Sequence, residues 1–404
     1  MMMNILGSVL IGAVIVLWLP PLSELLCLVS KKSGGAGDAP QTPQTPRLLF
    51  LVPAHNEQLH IAGCVQSLRE MSYPGSAVEI VVIADNCSDA TATIVRGLGV
   101  PCLERVDPKF PGKPRAIAWA LDQFDLTAWD ACVIVDADSA VAKDFATGLS
   151  DLAPLNDIVF QPNNLVLNEF DSWLTRLGGL LGRCRFEVTF PLKQAAGLNI
   201  PIGNGMGIGT NLLLKHGWLS YSITEDSELY ALYTLAGVKI RHATRASIYS
   251  DESRSLREGA TQRHRWLSGR IHAIRDLAGR IIRGDIGWRQ KLDLFVELGL
   301  ASPVLHLVIA LGIMAIALFG VGGAVGVWIS LFAAASLSGI VVTTLVTISH
   351  HPQRWRTVFA FVMLPAYAVW RLAVFGATIV TLGDTTWRRT SRSAAPVAIN
   401  SPQH

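Results

Sequence analysis

The chain has 404 residues, of which 50% are hydrophobic and only 16% charged. A mean hydropathy of +0.38 is too high for an ordinary soluble enzyme, and the length suggests roughly two to three domains. The net charge of +3 points to no partner by itself, whereas its distribution does, and nucleic acid is not among the expected partners.

Ile5 to Leu19 is almost purely apolar, and the apolar run resumes after Pro20-Pro21 as far as Val29. No basic residues precede it and no A-x-A site follows, so residues 1–30 read as a kinked transmembrane anchor and not a cleaved leader. Lys31-Lys32 come next and set the downstream chain on the cytoplasmic side. Residues 31–47, rich in Gly, Pro and Thr, form a flexible linker with nothing to bury.

Beyond it, Leu48–Val52, Val78–Ala84 and Ala131–Val135 are aliphatic runs of strand length, separated by helical patterns over 62–71, 90–98 and 115–124. This alternation predicts an α/β domain on a parallel, doubly wound sheet over 48–261. Ser88-Asp89 are expected to cap the second of these helices. The six cysteines form no C-x-x-C pair and read as reduced thiols of a cytoplasmic domain.

Residues 262–297 continue as basic amphipathic helices: Arg254 to Asp293 holds ten Lys or Arg against four Asp or Glu, with Leu267, Ile271, Ile274, Leu277 and Ile281 at helical spacing. Such a segment suits a cytoplasmic, anionic leaflet. Leu298–Phe319 and Ala324–Ile348 then supply two transmembrane helices over 298–349. The third run, Val358–Leu382, has basic residues on both flanks, so within 350–390 an interfacial or re-entrant helix satisfies the charge rule better than a further span. A disordered tail over 391–404 completes the chain.

Polar groups punctuate the strand ends in order. Pro53-Ala54-His55-Asn56-Glu57 follows the first strand, Asp85-Asn86-Cys87-Ser88-Asp89 the second, and Asp136-Ala137-Asp138 the third, with Gly112-Lys113 heading a helix. Ligands of open α/β sheets bind beyond the carboxyl ends of the strands. Two acids at such an end either cap a turn or share a divalent cation, which relieves their repulsion. Further on stand Thr224-Glu225-Asp226 and Gln262-Arg263-His264-Arg265-Trp266. No GxxxxGK[ST] sequence occurs, and Gly203 to Gly209 lacks both the dinucleotide spacing and a clear strand-to-helix context, so it reads as a close-approach loop near a bound ligand or as a plain turn.

As an ordered set, D, DxD, [TE]D and [QR]xxRW resemble the family 2 glycosyltransferases of the GT-A fold, in their membrane-integrated branch. That branch includes cellulose and hyaluronan synthases, ceramide glucosyltransferase and bacterial exopolysaccharide glycosyltransferases. The resemblance covers about residues 48 to 390. The strand-end loops, Leu364-Pro365-x-Tyr367-x-x-Trp370-Arg371 and Trp387-x-x-Thr390 look most like the exopolysaccharide group.

The resemblance implies a GT-A-type doubly wound mixed sheet with N- and C-terminal transmembrane and interfacial helices, in a multi-pass inner-membrane enzyme with its catalytic domain cytoplasmic. It also implies roles. Pro53, Ala54, Glu57 and Asp85 would hold uridine and ribose, and Asp85 could accept a hydrogen bond from the uracil N–H. Asp138, with Asp136, would hold Mg²⁺ or Mn²⁺ against the diphosphate. Lys113 would add charge near the nucleotide, or is a plain surface lysine. Asp226 would be the general base, off the metal and in a less polar place, with Glu225 orienting its loop. Gln262, Arg265 and Trp266 would close over diphosphate and acceptor. The expected function is inverting transfer from a UDP-sugar to a lipid-linked or growing glycan acceptor, in exopolysaccharide synthesis beside membrane lipids and other assembly proteins. The alternative is a single-sugar transferase acting on a lipid.

Overall fold

The computed structural model describes residues 2–30, 44–300 and 302–381. Lys31-Lys32, most of the linker, the Trp387-x-x-Thr390 motif and the tail over 391–404 lie outside the described residues. The chain forms two compact units, one drawn from Gly34–Asp171 and Asn199–Ser253, the other from Met1–Ser33, Ser172–Leu198 and Arg254–Arg388. The stretch expected as one α/β domain is therefore discontinuous, because residues 172–198 group with the helices that flank it in sequence.

The first unit is built on one eight-stranded mixed sheet. Its strands are β1 (Leu48–Ala54), β2 (Val78–Asp85), β3 (Cys102–Arg105), β4 (Ala131–Ile134), β5 (Ser139–Val141), β6 (Val159–Val166), β7 (Gly207–Gly209) and β8 (Ile240–Ser250). The order is β3-β2-β1-β4-β7-β6-β8-β5. The β3, β2, β1 and β4 strands run parallel, with Leu51 opposite both Val81 and Ile134; β7 is antiparallel to β4 and to β6. Central strands of a parallel sheet are covered on both faces, so they are apolar at successive positions. Leu48, Phe50 and Val52 point to one face, where Ile61, Val65 and Phe145 meet them, while Leu49 and Leu51 are fully buried on the other. Truncating a side chain such as Phe50 to Ala would cost about 3–5 kcal/mol.

The β7 strand was not legible as a strand. A Cβ on Gly207 would stand 1.9 Å from the Phe160 ring, and one on Gly209 would stand 2.2 Å from the carbonyl oxygen of Asn156. Only glycine lets this short antiparallel strand pass, and the helix Thr210–His216 follows it directly. The segment thus has the strand-to-helix context that its sequence hides. The cap of the Thr91–Gly97 helix also shifts by one residue: Ala90 is the boundary residue, and Asp89 Oδ1 accepts the Thr91 amide at 2.9 Å.

The second unit is helical. Four helices among the described residues are long and apolar enough to cross a membrane: Ile5–Val29, Pro303–Val321, Gly323–His350 and Arg354–Val380. The first breaks at Trp18, and Pro20-Pro21 occupy the opening turn of its second part, where a missing N–H costs little. Leu10, Val14 and Leu17 pack against Ala310, Ile313, Ile329 and Ala333, which joins this helix to the Pro303–Ala335 hairpin.

Candidate active site

The first two strand ends are locked together by their own loops. Asn56 and Asn86 take φ of 58° and 50°, the left-handed region that Asn tolerates better than most side chains. Asn56 Oδ1 accepts the Ser88 amide at 2.7 Å, and Asn86 Oδ1 accepts the Asp107 amide at 2.8 Å. Glu57 donates its amide to Thr91 Oγ1 at 2.8 Å, and His55 Nδ1 meets the Asp85 carbonyl oxygen at 2.7 Å. Ala54 is buried and lends only backbone, its carbonyl accepting from Cys87 Sγ.

Asp85 ends β2 and is almost wholly buried. Arg105 Nη1 and Asn86 Nδ2 donate to its Oδ1 at 2.6 and 3.0 Å, and the Gly112 amide donates to Oδ2 at 3.1 Å. An ionised carboxylate has about four acceptor positions, so Oδ2 keeps one for a further donor. Arg105 also donates to Asp107 and to the Phe110 carbonyl. The sequence reading missed Arg105 and Asp107; an Arg closing a strand with an acid two residues on was the available signal.

The chain after β4 carries Asp136 and Asp138. The Asp136 amide donates to Asn204 Oδ1 at 2.9 Å, and Asn204 Nδ2 donates to Ser139 Oγ and Ser250 Oγ at 2.8 and 2.9 Å. Gln161 braces the same turn from both sides, Oε1 accepting the Gly203 amide and Nε2 donating to the Asn204 carbonyl. Asn204, overlooked among its flanking glycines, is thus what fixes the two-acid turn. Gly203 also approaches Asp226, whose Oδ2 is 3.7 Å from where a Gly203 Cβ would stand.

Lys113 is no surface lysine. Its Nζ lies 2.7 Å from Asp136 Oδ1 and 3.1 Å from Glu225 Oε1. Burial opposes its charge, but Asp136 and Glu225 outweigh burial and raise its pKa above the ordinary lysine range. For Glu225, burial is the largest effect and pushes the carboxyl up; Lys113 pulls it back and Asp226 adds to the push. Glu225 and Asp226 open the helix Glu225–Leu235, where acids favour the helix dipole, and Asp226 Oδ1 accepts the Ser227 amide at 2.7 Å. Of this pair Glu225 is the buried member and Asp226 is intermediate in exposure, like Asp136.

The carboxylates of Asp136 and Asp138 are hard oxygen donors at the carboxyl edge of the sheet, a donor set that suits Mg²⁺ or Mn²⁺. Among the described residues no group of three His, Cys, Asp or Glu forms a closed cage. Two carboxylates with phosphate and water completing the shell is the usual pattern for Mg²⁺ beside a diphosphate. Gln262, Arg265 and Trp266 belong to the helical unit, on the helix Leu256–Arg283, with Trp266 exposed at 38%.

Against known proteins, the chain is 27% identical over 258 residues to a beta-monoglucosyldiacylglycerol synthase of Synechocystis sp., a match covering 62% of this chain and 53% of that one. A synthase of the same name from Trichormus variabilis is 25% identical over 61% of this chain and 54% of its own. The chain thus spans about half the length of the curated relatives it matches. The mannosyltransferase PcManGT of Pyrobaculum calidifontis, solved with GDP-Man and Mn²⁺, superposes with a TM-score of 0.59 at 16% identity, covering 94% of this chain and 97% of that one. That likeness shows a shared GT-A fold. The family model "Glycosyltransferase like family 2" matches residues 46–269, more than half of the chain, and the protein belongs to that glycosyltransferase family.

Proposed function

We propose that the protein is an inverting glycosyltransferase that moves one sugar from a UDP-sugar to a lipid acceptor at the cytoplasmic face of a cell membrane. The observation that carries this reading is Lys113, whose ammonium bridges Asp136 of the two-acid turn and Glu225 beside Asp226. It ties the group that would hold a leaving diphosphate to the group that would activate an acceptor.

Asp136 and Asp138 would hold Mg²⁺ or Mn²⁺, which when bound would neutralise charge growing on the diphosphate. The acceptor hydroxyl oxygen attacks the anomeric carbon as the bond to the diphosphate oxygen breaks, and that electron pair leaves with UDP. The hydroxyl proton passes to Asp226. Attack opposite the leaving group inverts the configuration. Lys113 stays charged and steadies the diphosphate side, while Glu225 holds Lys113 in place. Pro53, Ala54 and Glu57 frame the nucleoside, and the remaining acceptor position on Asp85 Oδ2 suits the uracil N3–H. Gln262, Arg265 and Trp266 serve diphosphate and acceptor, the guanidinium as a bidentate clamp and the indole as a flat apolar face.

Relatives that bear the name of a glucosyldiacylglycerol synthase favour a lipid acceptor and a single addition. The strand-end loops and the Leu364-to-Arg371 stretch support the second reading, extension of an exopolysaccharide chain with assembly partners. A panel of labelled UDP- and GDP-sugars, offered to the purified protein with membrane lipid extract, separates the two by product size. A labelled lipid carrying one sugar is expected; a ladder of long products would favour the polymer, and no transfer from any donor would defeat both.

A further inference from the structure

The helix over Arg354–Val380 is long and apolar enough to cross a bilayer, yet its contacts within the helical unit run across a span and not along one. At a rise of 1.5 Å per residue it is about 40 Å long, so a crossing would put its ends on opposite faces. Near its start, Arg176 of the Trp173–Arg183 helix donates to the Arg356 carbonyl at 3.3 Å. In its middle, Ala360 and Tyr367 share one apolar cluster with Leu174, Leu177 and Val304, and Arg371 Nη2 donates to Ser302 Oγ at 3.0 Å. Ala360 and Arg371 are about 16 Å apart along the helix axis. Both nevertheless meet Ser302–Val304, the opening turn of the Pro303–Val321 helix, or side chains packed on it. A helix lying parallel to that span would meet it at two levels.

The far end leads to the same place. Trp370 lies under the Arg263 guanidinium, 5.3 Å from ring centroid to Cζ, and Thr381 Oγ1 is 2.7 Å from His264 Nε2. Arg263 and His264 belong to the Leu256–Arg283 helix, whose seven arginines exclude it from hydrocarbon. The opposite face of the Arg354–Val380 helix is an exposed apolar stripe: Trp355, Phe359, Val362, Ala366, Val369 and Val380 recur at helical spacing, with Phe359 exposed at 72% and Val380 at 86%.

We infer that Arg354–Val380 lies in the plane of the membrane, its apolar stripe sunk into one leaflet and its other face carrying the Leu256–Arg283 helix. The occupant of the stripe is the outer part of the acyl-chain layer, into which an amphipathic in-plane helix sinks by roughly 5–10 Å. Its neighbours at Ser302 and Val304 start a candidate span, so the two membrane contacts are continuous. Of the four candidate spans among the described residues three remain as crossings, and the Gln262-to-Trp266 motif is tied to the leaflet through Trp370 and Thr381.

The test is the face from which each end is reached. Cysteines are placed as Arg354→Cys, Thr381→Cys and Phe319→Cys in the full-length protein and probed with a membrane-impermeant maleimide in sealed vesicles of both orientations. The unsubstituted protein sets the background from the native thiols. Arg354→Cys and Thr381→Cys are expected to label from the same face, and Phe319→Cys from the other. Labelling of the first two from opposite faces would overturn the inference. If Thr381→Cys fails to fold, a short epitope inserted after Thr381 answers the same question by antibody access. Depth adds a second reading: nitroxides attached at Phe359→Cys and Val380→Cys, both on the exposed stripe, should report the same depth below the headgroups of one leaflet, whereas depths in opposite leaflets would overturn the inference.

Discussion

Lys113 and Lys193 each sit between two carboxylates, Lys113 with Asp136 and Glu225 in the sheet unit, Lys193 with Asp293 and Glu297 in the helical unit. The surroundings differ. Asp136 keeps 37% of its side chain exposed at the carboxyl edge of the sheet, whereas Asp293 is fully buried and also takes a hydrogen bond from Ser23 Oγ. Arg185 Nη2 adds a further donor to Glu297 at 2.8 Å. The first triad has room for a substrate anion or a cation to exchange partners with it. The second is closed, and joins the first apolar helix to the segment that precedes Pro303. On the proposed function, the same three charges act as a site where they stay open to solvent and as a clasp where they do not.

Breaking the clasp should have the largest effect on stability. Lys193→Met removes the cation that buried Asp293 and Glu297 share and leaves Glu297 with Arg185, a loss of about 3–5 kcal/mol. Thermal unfolding in detergent would show it as a lowered midpoint, with sugar transfer per folded molecule unchanged. In the open triad the effect falls on turnover. Asp138→Asn should lower transfer about 100- to 1,000-fold, the scale of losing one pre-placed electrostatic partner of the transition state. A Mn²⁺ titration should show the same variant needing far more metal, and EDTA should silence the unsubstituted protein. Lys113→Gln removes one charged hydrogen-bonding group and should weaken transfer about 10- to 100-fold, with the protein still folded. If Lys113→Gln instead unfolded the protein as Lys193→Met does, the contrast between the two lysines would collapse.

Acid should separate the triads more gently. Burial works against the Glu297 charge, but Arg185 and Lys193 bring its pKa down to about 2 from 4.5. A depressed carboxyl contributes stability that is complete above pH 4.5 and is lost as the pH falls toward about 2. The unfolding midpoint should therefore drop across that window, and Glu297→Gln should flatten the drop.

The two triads also differ in how far the sequence reveals them. Asp85, Asp136 and Asp138 each stand where an aliphatic run ends, and a buried strand leaves a periodic trace that locates its own end. Lys113 and Asp226 could be singled out, but not their linkage through Glu225, which needs the third dimension. Asn204 and Gln161 hold the two-acid turn from other strands and carry no local signal. The strand Gly207–Gly209 was hidden because its glycines are dictated by the Phe160 ring and the Asn156 backbone, not by strand propensity. Lys193 pairs with Glu297 across 104 positions, and nothing near either residue announces it. The interruption of the sheet unit over 172–198 was missed for the same reason. The apolar terminal runs were plain, whereas the placement of Arg354–Val380 depends on contacts at Ser302 and His264.

The most direct test of the central claim compares the unsubstituted protein with Asp226→Asn, measuring donor binding and sugar transfer separately. A carboxylate that only accepts the hydroxyl proton predicts a UDP-sugar Kd close to that of the unsubstituted protein and a transfer rate about 100- to 10,000-fold lower. Transfer at the original rate would contradict the account, because the base would then lie elsewhere.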